Sequence, residues 1–192
     1  MSKSIPNGVW PTMITPFTDS GEIDYHGLAE LIEWYLKNEV DGLFAVCLSS
    51  EMFSLSLAER RELAGFVRRE VAGRVPVIAS GNVAEMMDEQ LREIEAMVNA
   101  GVDTVVLITN RFAAPEEDDD LWLARMEKVL SCFPELSFGL YECPVPYKRL
   151  LSPGVFRWCV STGRFLFIKD TSCDLEIIRE RLAMAAGSNT KI

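Results

Sequence analysis

A lysine closes the apolar run Phe165-Leu166-Phe167-Ile168, and it is the residue in this chain with the plainest chemical potential. Unbroken apolar residues, β-branched or aromatic, read as a short strand buried on both faces. Lys169, at the tip of that strand, sits half out of water, where desolvation disfavours the ammonium and lowers the pKa. A neutral amine attacks carbonyls, so the chemistry offered here is a Schiff base. A plainer reading stands beside it, in which Lys169 merely caps the strand and points to solvent. Tyr141 closes the preceding apolar run, Ser137 to Tyr141. The two side chains complement one another. The amine attacks a keto group, dehydration of the carbinolamine needs a proton donor, and carbon–carbon cleavage needs a base. A phenol whose pKa is lowered by a nearby cation can do both. Alone, Tyr141 reads as a buried aromatic with a satisfied hydroxyl; beside Lys169 the catalytic reading gains ground. Ser49 and Ser50 follow a third apolar run, and their hydroxyls with backbone N–H groups can hold a carboxylate.

The elements that must position these residues follow from pattern. Gly8 to Phe17 is expected to be a strand bounded by Pro11 and Pro16. Asp24 caps a helix to about Asn38, with Leu28, Leu31, Ile32 and Tyr35 on one face. Gly42 to Cys47 is the second strand, and Ser56 to Glu59 is a capping box that opens a helix to about Val71. Val75 to Ser80 is the third strand; the helix after it runs from about Glu85 to Ala100 and stops at Gly101. Thr104 to Ile108 is the fourth strand, followed by a helix from near Asp118 to near Pro134. After the fifth strand, Ser152-Pro153 starts a helix by the cap-then-proline rule. Phe165 to Lys169 is the sixth, with a helix from about Asp174 to Ala186.

Strand and helix alternate with a repeat of roughly 30 residues, which means parallel βα units. An open doubly wound sheet and a (β/α)8 barrel both fit. No Gly-x-Gly-x-x-Gly follows the first strand and no Walker-type Gly-Lys-Ser/Thr is present. The even repeat favours the (β/α)8 TIM barrel. Barrels run to about 250 residues, so residues 1–192 read as a single barrel domain supplying about its first six βα units. The ending, Ser188 to Ile192, reads as a strand being entered. Barrel chemistry lies at the C-terminal strand ends. Those ends carry Thr15, Ser49, Ser50, Glu51, Asn110, Arg111, Phe112, Tyr141 and Lys169.

Four segments in order carry a resemblance. They are Pro11-Thr-Met-Ile-Thr-Pro-Phe17, Cys47-Leu-Ser-Ser-Glu51 with Leu55 and Glu59, Tyr141-Glu-Cys-Pro144, and Ile168-Lys-Asp-Thr171. Together they resemble the dihydrodipicolinate synthase / N-acetylneuraminate lyase family of class I aldolases. The resemblance covers essentially the whole chain. It implies a (β/α)8 barrel, a homo-oligomer (dimer or tetramer), no cofactor, and a 2-oxo acid such as pyruvate bound as an imine on Lys169. Tyr141 would be the acid/base, Ser49 and Ser50 would hold the substrate, and Thr15 would lie near the site. The chain also departs from the family pattern. Cys47 and Ser50 replace the two glycines of the family loop, and Leu48 replaces a hydroxyl residue. Phe112 stands where the family synthase has a second tyrosine; a one-residue slip puts Arg111 there instead. Pro146 stands where the synthase has a carboxylate-binding arginine, with Lys148 and Arg149 just beyond. The resemblance therefore implies a 2-oxo acid lyase other than the synthase itself. A sugar-acid dehydratase using the same imine, or a non-catalytic small-molecule-binding barrel, remains open.

Composition sets the outer bounds. The net charge of -10 argues against nucleic acid or an anionic membrane surface as partner. No apolar run approaches the ~20 residues of a membrane span, and the N-terminus lacks an apolar signal core. Cys47, Cys132, Cys143, Cys159 and Cys173 show no metal-ligand spacing and read as reduced, mostly buried thiols of a cytoplasmic protein. His26 is the only histidine and falls on a surface helix, so a His-based triad or metal site is not expected. The acidic run Glu116 to Asp120 reads as helix-start carboxylates rather than as a metal site.

Overall fold

Parallel βα units form because each apolar run is too short to be a helix and is followed by a well-capped amphipathic one. The computed structural model describes residues 4–192. Its elements are α1 (Tyr25–Lys37), β1 (Leu43–Val46), α2 (Leu57–Val71), β2 (Val77–Ser80), α3 (Met87–Asn99), β3 (Thr104–Ile108), α4 (Asp119–Cys132), β4 (Phe138–Tyr141), α5 (Pro153–Thr162), β5 (Phe165–Lys169) and α6 (Leu175–Ala185). Two single-turn 3-10 helices, Leu48–Ser50 and Thr109–Arg111, follow β1 and β3. The strand order in the sheet is the chain order, β1 to β5. Every residue of β1 to β4 is buried, as parallel strands covered on both faces must be. The chain packs as two compact units, one of Pro6–Ser80 with Glu93–Val105, the other of Gly81–Arg92 with Val106–Ile192.

In the first unit, the Asp24 carboxylate accepts from the N–H groups of His26 and Gly27 and starts α1, which buries Leu28 and Ile32. β1 pairs in parallel with β2, Leu43 opposite Val77 and Val46 opposite Ala79. Ser56 and Glu59 close the expected capping box of α2. A buried ion pair, Arg60 to Glu93 at 2.7 Å, fastens α2 to the C-terminal part of α3. The segment from Gly8 to Phe17 is not the continuous strand its pattern predicts. It meets β1 in a parallel bridge, Thr12 opposite Phe44, while Phe17 forms an isolated antiparallel bridge with Ile23, outside the sheet. Pro11 and Pro16 have no N–H to donate, so a ladder cannot run through them. Pro11 still accepts from Phe44 N–H at 3.1 Å.

The second unit holds the end of β3 and everything after it. Asp118 caps α4 by accepting from Leu121 N–H, with Asp119 and Asp120 in the first turn. The acidic run is thus a helix start, as its position implies. β4 and β5 are parallel neighbours, with Leu140 opposite Ile168 and Tyr141 opposite Lys169. Gly139 allows this pairing, because a Cβ there would lie 2.1 Å from the Phe167 ring. Ser152 and Pro153 open α5, and Gly163, with φ of 66°, ends it. The terminal segment pairs beside β5: Ile168 N–H donates to Lys191 O at 2.8 Å and Lys191 N–H to Leu166 O at 2.9 Å. Within Ser188 to Ile192, Lys191 forms an isolated parallel bridge with Phe167. Among the described residues no helix is long and apolar enough to cross a membrane. Cys47, Cys143 and Cys159 are buried and Cys132 and Cys173 exposed.

Candidate active site

Parallel pairing puts Tyr141 and Lys169 directly opposite one another at the C-terminal tips of β4 and β5. Their side chains therefore share a face of the sheet. Lys169 Nζ lies 4.2 Å from the centroid of the Tyr141 ring. Tyr141 is 4% exposed, and Lys169 is half-buried. A cation over an aromatic face is attracted by the ring. The arrangement is an amine in contact with a phenol ring, at the C-terminal ends of parallel strands, where the chemistry of barrel folds resides.

The end of β3 shapes the loop after β4. Thr109 donates its hydroxyl to Tyr141 O at 3.3 Å and to Arg149 O at 3.1 Å. The Asn110 amide donates to Cys143 O, Val145 O and Tyr147 O, at 2.8, 3.0 and 2.5 Å. The Tyr147 hydroxyl returns bonds to Asn110 O and Ala113 O. Burial raises the pKa of Tyr147, against the opposing charges of Arg111 and Arg149. Arg149 donates to Ala114 O and Glu117 O and pairs with Asp119, so it clasps the start of α4.

Phe112, expected near the site, closes the 3-10 turn after β3. It is fully buried and meets Trp122 of α4 edge-on, ring centroids 5.7 Å apart. The Trp122 indole in turn donates to Thr109 O at 2.9 Å. An apolar ring after β3 is drawn into the layer between strand and helix, where it removes more surface from water. Arg111, its neighbour, is largely buried, with its guanidinium 3.7 Å from the Glu85 carboxylate.

The remaining expected residues sit together in the first unit. Ser50 is fully buried, and its hydroxyl accepts from Cys47 N–H at 2.6 Å and donates to Cys47 O at 2.9 Å. It is engaged in folding its own 3-10 turn, which Glu51 ends in the left-handed conformation at φ 61°. The Thr15 hydroxyl donates to Ser50 O at 3.0 Å and braces the same turn. Ser49 is the exposed one, bonded to the Thr12 hydroxyl at 3.2 Å, and of the three it keeps the most accessible oxygen. Leu48 is half-buried beside it. Among the described residues no cluster of His, Cys, Asp and Glu has the geometry to hold a metal ion.

Sequence reasoning missed the group behind the strand tips. Glu142 and Arg181 are buried and form a fork-to-fork pair, and Arg181 also reaches Asp170. The available signal was a carboxylate set between two apolar-run residues, Tyr141 and Cys143, both buried. Such a charge requires a partner cation.

Known proteins resemble the chain over nearly its whole length. The model of the dihydrodipicolinate synthetase family matches residues 5–189. The 4-hydroxy-tetrahydrodipicolinate synthase of Bacillus subtilis (strain 168) is 31% identical over 89% of this chain. That of Bacillus velezensis is 32% identical over 89%. The chain spans 58% of the length of each. Among solved structures, YagE of E. coli K12, a prophage protein of the dihydrodipicolinic acid synthase family described in complex with pyruvate, superposes with a TM-score of 0.85. It is 26% identical, over 96% of this chain and 62% of that one. A family match across nearly all of the chain, on parallel βα units with a lysine and a tyrosine at adjoining strand tips, makes this chain a member of the dihydrodipicolinate synthetase family with its (β/α)8 TIM-barrel fold.

Proposed function

We propose that the protein is a class I lyase that binds a 2-oxo acid of the pyruvate type as a Schiff base on Lys169. The observation that carries this is Lys169 Nζ at 4.2 Å from the Tyr141 ring, across one rung of the β4–β5 ladder. Nζ attacks the keto carbon and forms a carbinolamine. The carbinolamine loses its hydroxyl as water, taking a proton from the Tyr141 phenol, and leaves an iminium ion. In a 4-hydroxy-2-oxo acid the iminium draws electrons from the C3–C4 bond, leaving an enamine on Lys169, and the tyrosinate takes the 4-hydroxyl proton as the aldehyde departs. The pyruvate described with YagE supports the substrate class. The reaction proposed is not dihydrodipicolinate synthesis. Leu48 and Phe112 have no hydroxyl to pass a proton onward, and Phe112 packs against Trp122.

The test is borohydride reduction in the presence of pyruvate, read by intact mass and peptide mapping. One reduced pyruvate on the Lys169 peptide is the expected result. Labelling at another lysine, or none with any of a panel of 2-oxo acids, would refute the reading.

A further inference from the structure

We propose that Arg181 is a positioning residue that, with Glu142 and Asp170, forms a buried clamp holding the tips of β4 and β5 so that Lys169 stays against Tyr141. The inference rests on Lys169 being the reactive amine. Glu142 directly follows Tyr141, and Asp170 directly follows Lys169. Successive side chains of an extended chain point to opposite sides. Where Tyr141 and Lys169 meet on one side, the next residue of each strand turns to the other. There both carboxylates find the same guanidinium.

Arg181 donates from Nη1 to Glu142 Oε2 at 2.9 Å and from Nη2 to Glu142 Oε1 at 2.5 Å. It reaches the Asp170 carboxylate as well, and its Nη2 donates to Leu151 O at 3.2 Å. The side chains of Arg181, Glu142 and Asp170 are 3%, 0% and 9% exposed, so none of the three is a surface pair. Burial pushes the Asp170 carboxyl up, but bonds from Ser172 and the Arg181 guanidinium hold it below the usual carboxylate range. Direct stitches join the same two tips: Glu142 N–H to Lys169 O at 3.3 Å, and the Thr171 hydroxyl to Glu142 O at 2.7 Å.

Stability alone is a poor account of this group. Well-packed apolar residues often serve as well as a buried ion pair, since desolvation offsets the Coulombic gain. Geometry is the better account. A planar fork fixes two carboxylates in angle as well as distance, and each carboxylate is one peptide bond from a member of the reactive pair.

The experiment uses the full chain and the double variant Glu142→Gln/Arg181→Met. That pair of changes removes one negative and one positive charge, so the net charge of the cluster is unchanged; the fork is lost, and Asp170 gives up its cation but keeps its bonds from Ser172. Competitive acetylation with acetic anhydride across pH, quantified by peptide mass, compares Lys169 with the exposed Lys37 and Lys148. Pyruvate–borohydride trapping is run in parallel. In a double variant that still melts cooperatively, the acetylation profile of Lys169 should move toward that of Lys37, and trapping should slow about tenfold or more as the reacting groups lose their alignment. Arg181→Lys, which keeps the charge without the fork, should fall between. A folded double variant with unchanged acetylation and trapping would overturn the clamp. Should the double variant fail to fold, Glu142→Gln alone, isosteric and still hydrogen-bonding, carries the same two outcomes. If pyruvate labels nothing in the wild type while Lys169 acetylation still responds to the clamp variants, the substrate reading fails and the clamp stands.

Discussion

Tyr141→Phe removes one oxygen from the proposed site and leaves the rest in place. The ring is 4% exposed and lies under Lys169 Nζ at 4.2 Å, so a phenyl group keeps the packing and the contact with the amine. The stability cost is that of a hydroxyl hydrogen bond, about 0.5–1.5 kcal/mol. The kinetic cost is larger if the phenol supplies the proton for carbinolamine dehydration. General acid–base catalysis contributes roughly 10²–10⁴-fold, which is about 2.7–5.4 kcal/mol at 1.36 kcal/mol per factor of ten. The effect should appear in imine formation itself, before any bond cleavage. The assay is quenched-flow trapping with pyruvate and borohydride, with Tyr141→Leu alongside. The leucine variant loses the ring as well, and with it a cation–π contact of about 0.5–2 kcal/mol. Both variants should slow trapping, and only the leucine variant should also disturb the packing around Lys169. Wild-type trapping kinetics in Tyr141→Phe would refute the catalytic role and leave Tyr141 a packing residue.

Other expectations follow from the same structure. Arg60→Met leaves the Glu93 carboxylate buried without its cation and should cost about 3–5 kcal/mol, whereas Arg60→Met/Glu93→Leu should recover most of it; urea titration of the three proteins measures both. The Asp170 carboxyl sits below its ordinary value of 3.8, so its stabilisation is complete above about pH 4 and is lost as pH falls through the lower folded value. Asp170→Asn should therefore flatten part of the acid-side decline of the melting temperature below pH 4 and leave its slope near neutrality unchanged. Pyruvate and aspartate semialdehyde should not condense to dihydrodipicolinate at a useful rate, and a kcat in the ordinary range of roughly 1–10³ s⁻¹ would contradict the argument from Leu48 and Phe112.

The helices were legible because their starts are local. Asp24, Ser56 with Glu59, Asp118 and Ser152 with Pro153 each cap the helix their side-chain chemistry predicts. The strands were legible as apolar runs, since a parallel sheet covered on both faces tolerates little else. The segment from Gly8 to Phe17 misled for a physical reason. Its apolar residues satisfy the pattern, but Val9 and Ile14 are 63% and 55% exposed, and prolines interrupt the donors. The 3-10 turn at Leu48–Ser50 was hidden because it depends on one serine hydroxyl bonding back to Cys47, a choice made by the folded loop rather than by propensity.

Lys169 and Tyr141 stand out in the sequence as reactive residue types at the ends of apolar runs, and the sheet sets them opposite one another. The clamp does not stand out, because its members are ordinary residues 39 positions apart. Arg179 and Arg181 look alike on paper, both on α6 near acidic neighbours. Arg179 pairs with Glu176 in solvent, whereas Arg181 is 2% exposed. What separates them is periodicity. Ile177, Ile178, Arg181, Met184 and Ala185 fall on one stripe of the helix, so Arg181 occupies a position that packing would give to an apolar side chain. An arginine in such a stripe needs a buried anion, and a glutamate within a buried run needs a buried cation. Each is an unexplained charge alone. Matched, they remove both anomalies at once, and they point to the one place in the chain where β4 and β5 must be held in register for a lysine to reach a tyrosine.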